Sequence, residues 1–205
     1  MLHLSTIDPE TFRLLKELFT LREINEQFAL AGGTSLALQI GHRKSIDLDL
    51  FTTQPFHTRD IELLLSAEYN NRFTFVNSTK RMLFCYLNEI KCDFVTEPAK
   101  LIAPFTETDG VRLFSIADIA AMKMHTICGR GKKKDFVDVY VLTRLYGWQQ
   151  LLQWFEQKYG TDQFYYLWRS IHYFTDADED ADAELLPPYD TSWENIKHYI
   201  TEHCK

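Results

Sequence analysis

The six residues Ile46-Asp47-Leu48-Asp49-Leu50-Phe51 alternate between apolar and acidic side chains over most of their length. A period of two is the mark of a strand with one face in a core. The chain is therefore expected to build a sheet that carries Asp47 and Asp49 together on one face, with Ile46, Leu48 and Leu50 turned into the core. Two carboxylates so placed repel, and an unpaired pair would raise at least one pKa. A divalent cation removes the conflict, because Mg²⁺ accepts a few carboxylates together with waters and phosphate oxygens.

A second short strand is expected at Ile90-Lys91-Cys92-Asp93-Phe94, where the same alternation puts Lys91 and Asp93 on one face and offers a third carboxylate. Upstream, Gly32-Gly33-Thr34-Ser35 falls between a predicted strand at 28–31 and a predicted helix at 34–41, with the glycine pair read as a turn. Backbone amides at such a junction, aided by the helix dipole, favour a phosphate. A glycine turn alone is usually structural, and an Asp-x-Asp strand alone is usually solvent-facing. The two in this order, thirteen residues apart, are more informative.

The remaining pattern divides the chain into an α+β half, about residues 1–112, and a mostly helical half, 113–205. Asp8-Pro9 starts an amphipathic helix. A helix is expected over 58–69 and strands over 72–77, 82–87 and 90–95, the last two joined by a tight hairpin at Asn88-Glu89. Ser115 with Asp118 forms a capping signal, and helices are expected over 134–146, 148–159 and 162–173. Residues 176–184 read as a solvated acidic loop, and Thr191 with Glu194 as the cap of a last helix. Cys85, Cys92, Cys128 and Cys204 form no C-x-x-C pair and suit reduced, mostly buried thiols.

With 45% hydrophobic residues the chain can bury a sizeable core. No apolar run approaches the roughly 20 residues of a membrane span, and Asp8, Glu10 and Arg13 interrupt any signal-peptide core. A cytoplasmic location is expected. The formal charge of −7 does not exclude a nucleic-acid partner, because six of the nine residues 176–184 are acidic and the rest of the chain is close to neutral. Lys123, Arg130, Lys132, Lys133 and Lys134 lie within twelve positions and make a candidate anion site. Lys123 shares helical spacing with Ile116, Ile119 and Ile127, as Arg130 does, so Lys123 is expected on the inward face, where a cation needs a negative partner. Lys134 stands four residues before Asp138, so an intrahelical pair is open to it.

The glycine pair followed by Asp47-x-Asp49 resembles the signature of DNA polymerase β-like nucleotidyltransferases. More specifically, the chain resembles the AbiEii-type toxin nucleotidyltransferases, the enzyme half of type IV toxin–antitoxin pairs. The matching residues are Gly33-Thr34-Ser35 with Asp47 and Asp49; Lys91-Cys92-Asp93; Lys123 with Arg130, Lys132, Lys134, Asp135 and Asp138-Val139; and Asp190 with Lys197. The family more often has arginine at the position of Lys134 and leucine at that of Val139, and Thr34 intervenes between Gly33 and Ser35. The likeness covers residues 28–197, and the set beginning at Lys123 is the most specific. It implies a polymerase β-like core with a mixed sheet. It also implies transfer of NMP from an NTP to a hydroxyl, with Asp47, Asp49 and Asp93 as carboxylates for Mg²⁺ or Mn²⁺ and Lys123 as a catalytic cation. Gly33, Thr34, Ser35, Lys91, Arg130, Lys134, Asp135, Asp138 and Lys197 would lie around the nucleotide. The implied acceptor is a tRNA 3′ end and the implied partner a cognate antitoxin. A small hydroxylated antibiotic is the alternative acceptor, and a non-catalytic nucleotide- or partner-binding domain is the reading from another class.

Overall fold

The computed structural model describes all 205 residues, which divide into two compact units. The first unit comprises residues 1–39, 45–100 and 105–114. Its sheet has seven strands: β1 (Ala29–Leu30), β2 (Leu48–Thr52), β3 (Phe73–Ser78), β4 (Met82–Leu87), β5 (Ile90–Thr96), β6 (Thr106–Thr108) and β7 (Val111–Leu113). They lie in the order β3-β4-β5-β2-β1-β7-β6, with β2–β5 and β1–β7 parallel and the other pairs antiparallel. The helices are α1 (Pro9–Leu18), α2 (Arg22–Gln27), α3 (Gly32–Ile40) and α4 (Thr58–Tyr69).

Alternation decides what each strand buries. Leu48 and Leu50 of β2, Leu83, Cys85 and Leu87 of β4, and Cys92 and Phe94 of β5 join one hydrophobic cluster. Leu14, Leu15 and Leu18 of α1 and Ile61, Leu65 and Tyr69 of α4 complete it. Phe28 packs edge-on against Phe56 and Phe94, ring centroids 5.0 and 5.3 Å apart. The residues between these, Asp49, Asp93, Phe84 and Tyr86, belong to the opposite face of the sheet. The hairpin at Asn88-Glu89 forms with φ of 51° and 65° at its two turn residues, the geometry of a tight two-residue loop.

The second unit comprises residues 40–44, 101–104 and 115–205. It contains α5 (Ile116–Arg130), α6 (Lys133–Tyr146), α7 (Trp148–Tyr159), α8 (Phe164–Ser170), α9 (Thr175–Asp178) and α10 (Trp193–His203). Ser115 caps α5 by accepting the Asp118 N–H at 3.0 Å. The Asp118 carboxylate is fully buried, takes Lys158 Nζ at 2.8 Å and also accepts the N–H groups of Ile102 and Ala103. No helix is long and apolar enough to cross a membrane.

Several local expectations change. Gly32-Gly33 opens α3 rather than forming a separate turn. β2 starts at Leu48, and Ile46, ahead of it, is 60% exposed instead of buried. The helix expected over 162–173 is shorter, α8 alone, because Thr161–Gln163 form a 3-10 turn. Ser192, not Thr191, caps α10 through the Asn195 N–H. The acidic stretch is not simply a solvated loop: it includes most of α9, and its later part is pinned by an Arg43–Leu185 bridge and by the Lys44 N–H bonding the Glu184 carbonyl at 2.8 Å. Short elements absent from the sequence reading are α2, β6 and β7. All four cysteines are free thiols, Cys128 half-buried and the others buried.

Candidate active site

In the first unit, the parallel pairing of β2 with β5 sets Asp49 directly beside Asp93, in register. Asp47 lies two residues before Asp49, just ahead of the strand. Lys91 Nζ donates to Asp93 Oδ2. Burial works to lower the Lys91 pKa, but Asp93, then Asp49 and Asp47, more than offset it, so the ammonium titrates above the ordinary lysine value. Asp93 Oδ1 is buried with no hydrogen-bond partner. Such an orphan costs about 1–3 kcal/mol, which a bound cation or a ligand hydroxyl would relieve.

Gly32 explains how Asp49 fits. Its φ is +64°, and a Cβ added there would lie 2.1 Å from Asp49 Oδ2. Only glycine permits both the backbone conformation and the approach of the carboxylate. The following hydroxyls turn inward. Thr34 Oγ1 donates to the Asp47 carbonyl and reaches Ser45 Oγ at 2.8 Å, while Ser35 is fully buried and its Oγ accepts from Gln39 Nε2. The side-chain oxygens of Thr34 and Ser35 are thus engaged within the protein, and the Ser35 N–H bonds the Ala31 carbonyl at 3.3 Å.

No group of three or more His, Cys, Asp or Glu side chains is gathered closely enough to hold a metal ion by itself. The donor set is nevertheless hard oxygen only, and one of its oxygens is the orphan on Asp93. Those features fit Mg²⁺ or Mn²⁺ that takes its remaining ligands from water and phosphate, not a caged structural metal.

In the second unit, Lys123 lies on the inward side of α5, its side chain 9% exposed, and its ammonium meets Asp135 at 2.8 Å and Asp138 at 2.7 Å. Asp138 is the centre of the cluster. Its fully buried carboxylate also takes Arg43 Nε at 2.7 Å, Arg43 Nη2 at 3.0 Å and His42 Nε2 at 2.7 Å. Burial alone would raise the Asp138 pKa; the Arg43 guanidinium and Lys123 ammonium outweigh it and hold the carboxyl well below its usual range. His42 moves the other way, its pKa lowered chiefly by burial despite the Asp138 bond. Asp135 faces Lys123 and accepts the Lys132 N–H at 3.4 Å.

The other expected cations are spread out. Arg130 ends α5 exposed, off the inward line that Lys123 follows, and Lys134 is exposed on α6. Lys133 is instead buried, its ammonium held by the Asp180 carbonyl at 2.6 Å and Asp182 at 2.9 Å. Lys197 pairs with Asp178 and Glu194, both at 2.9 Å, and Asp190 is not among its partners. The sequence reading names Gly32 as half of the glycine turn but not its close approach to Asp49, and it does not single out His42 or Arg43, to which nothing local points.

Solved structures share this α+β arrangement. A Helicobacter pylori structure described as a candidate nucleotidyltransferase superposes with a TM-score of 0.55 at 17% identity, covering 94% of this chain and 92% of that one. JHP933 from Helicobacter pylori gives 0.54 at 16% identity, covering 95% and 90%. At these identities the likeness is one of fold. The model of the family described as nucleotidyl transferase AbiEii toxin, Type IV TA system, matches residues 13–198, and the chain belongs to that family. It is a nucleotidyltransferase. A relative from Aquifex aeolicus, the uncharacterized protein aq_aa25, is 34% identical over 188 residues, 89% of this chain and 88% of its own.

Proposed function

We propose that the protein is a metal-dependent toxin that transfers NMP from an NTP to the 3′-terminal hydroxyl of tRNA and is restrained by a cognate antitoxin. The observation that carries the reading is the register of Asp49 against Asp93, with Lys91 bonded to the latter and Asp47 two residues from the former. Asp47 and Asp49 would hold Mg²⁺ or Mn²⁺, with Asp93 either completing the set or activating the acceptor hydroxyl. Bound there, the metal neutralises the triphosphate and the charge that develops on the departing pyrophosphate.

The chain's own residues have separable tasks in this reading. Gly33 and the Thr34 amide at the start of α3 receive phosphate oxygens, while the Ser35 N–H closes the first turn on the Ala31 carbonyl. Where it does not ligate the metal, Asp93 accepts the proton of the attacking hydroxyl at Oδ1, while Lys91 keeps Oδ2 occupied and the carboxylate oriented. In the second unit, Arg130 and Lys134 are exposed cations that the family resemblance assigns to the nucleotide, while Lys197 pairs with Asp178 and Glu194. Lys123, Asp135 and Asp138 act mainly by fixing the start of α6, since each is occupied by another member of the buried cluster. The transfer is direct, by positioning and electrostatics, and requires no covalent enzyme intermediate.

The test is incubation of the purified protein with Mg²⁺, each α-labelled NTP in turn and total tRNA. Label should appear in tRNA and be lost with Asp47→Asn, Asp49→Asn or Asp93→Asn. Label on a small hydroxylated acceptor alone would move the function to the antibiotic-modifying class, and no label with any acceptor would remove the catalytic reading.

A further inference from the structure

The sheet face that carries the carboxylates does not end at β5. Directly opposite residues in antiparallel strands project to the same side, and the pairing sets Phe84 opposite Asp93, Tyr86 opposite Lys91 and Thr74 opposite Tyr86. One row therefore runs Asp49, Asp93, Phe84; the next runs Lys91, Tyr86, Thr74. With strands about 4.8 Å apart, Phe84 is one strand from Asp93 and two from Asp49.

This outer part of the face has an unusual composition. A half-buried antiparallel strand normally turns polar residues outward, yet the outward positions of β4 are Met82, Phe84 and Tyr86, the last 40% exposed. Around Tyr86 lies a recess of about 500 Å³ lined by Asn71, Arg72, Thr74, Tyr86, Asn88 and Glu89, within the usual size range of ligand sites. Aromatic rings on an open sheet, amide side chains able to read base edges and cations along the border are the means by which proteins hold unpaired nucleotides. Arg72, its guanidinium over the Tyr69 ring, carries positive charge at the border of the recess beside Glu89, Lys91 is bonded to Asp93, and the strand register leads from Tyr86 and Phe84 to Lys91 and Asp93. A protein partner seated on the same face would cover those carboxylates; a strand end seated there would deliver its terminal hydroxyl to them.

We infer that Tyr86 and Phe84, bordered by Arg72 and Lys91, form a stacking platform for the last unpaired nucleotides of the acceptor RNA. The inference rests on the reading that the acceptor is an RNA end.

The test is fluorescence anisotropy of a labelled ten-nucleotide single-stranded RNA with the full chain, without NTP. Tyr86→Ala should weaken binding on the order of ten- to a hundred-fold, the loss of one stacked base, while Tyr86→Phe stays close to wild type. Arg72→Ala should flatten the plot of log affinity against log salt by roughly 0.7, one phosphate contact on a single strand. Thr74→Glu, at an exposed position, should weaken binding as well. The nucleotide-induced thermal shift should be the same in all four variants. Wild-type protein that does not bind the RNA, or Tyr86→Ala that binds it as wild type does, would overturn the platform. The two readings also fail separately. Transfer to RNA with an unchanged KM for RNA in Tyr86→Ala removes the platform and leaves the activity. Tyr86-dependent binding without transfer of any nucleotide removes the activity and leaves the platform.

Discussion

Asp49 occupies the space in which Gly32 would carry a side chain: Oδ2 is 2.1 Å from the position of a Cβ. Gly32→Ala must therefore shift the carboxylate or the start of α3, and it also forces an L-residue to φ +64°. The expected loss of stability is about 1–3 kcal/mol, with transfer reduced by at least an order of magnitude. A thermal melt beside a single-turnover assay measures both. Wild-type activity in Gly32→Ala would show that the position of Asp49 is not critical.

Asp47, Asp49 and Asp93 are expected to act as one unit. Each Asp→Asn change should abolish transfer, and the double change Asp47→Asn/Asp49→Asn should add little to either, as is usual for residues that function together. Melting temperature should not fall for Asp49→Asn in metal-free protein, because one of several crowded carboxylates is gone. Growth of cells expressing Asp49→Asn, compared at matched protein level with wild type, separates toxicity from mere overproduction. Equal growth would remove the toxin assignment but not the transferase one.

The buried cluster predicts an unequal response at its two ends. Asp138→Asn removes the only carboxylate shared by Arg43, His42 and Lys123 and should cost about 3–5 kcal/mol, the range for breaking a buried ion pair. Lys123→Met should cost less, because Arg43 and His42 still satisfy Asp138 and the loss falls on Asp135, which keeps the Lys132 N–H. Urea unfolding ranks the two. If Lys123 also contacts triphosphate, the stabilisation by Mg²⁺-NTP shrinks in Lys123→Met; an equal shift confines it to the cluster.

His42 gives the fold a pH dependence. Burial holds its folded pKa below the ordinary histidine value of 6.5, so the unfolded chain binds the proton first and stability rises with pH. The contribution is complete above about 6.5 and is lost progressively below it. Asp138, held well below its usual range, adds a further loss only at more acidic pH. His42→Gln, which can still donate to Asp138, should show a flatter melting-temperature profile between pH 7.5 and 5.5 than wild type. Parallel profiles would assign the acid sensitivity to other groups.

Strongly periodic segments were readable at their true limits. The 58–69 helix, the 82–87 strand and the 148–159 helix coincide with α4, β4 and α7 because each has a continuous apolar repeat and an abrupt turn after it. β6 and β7 have only three residues each, too few for a repeat to register. Ile46 continues the alternation of β2 one step beyond the point where hydrogen bonding begins, so pattern and burial part company there. The Asp-x-Asp pair and Lys91-x-Asp93 could be seen as separate motifs, but their adjacency depends on which strands pair. Arg43 lies ninety-five positions from Asp138, and no local spacing could connect them. The burial of Lys123 was legible from helical spacing; the identity of its partners was not.

The parallel pairing of β2 with β5 also orders events in time. Between these strands the chain must first lay down α4 and the β3–β4 hairpin, so Asp49 and Asp93 are brought together by a non-local closure, the slow class of folding step. A polypeptide still emerging from the ribosome has no assembled carboxylate set until β5 is complete. A slip of one residue at that closure would turn Asp93 into the core and Phe94 out to water. The cost of that exchange makes the folding core itself a proofreader of how the two carboxylates align.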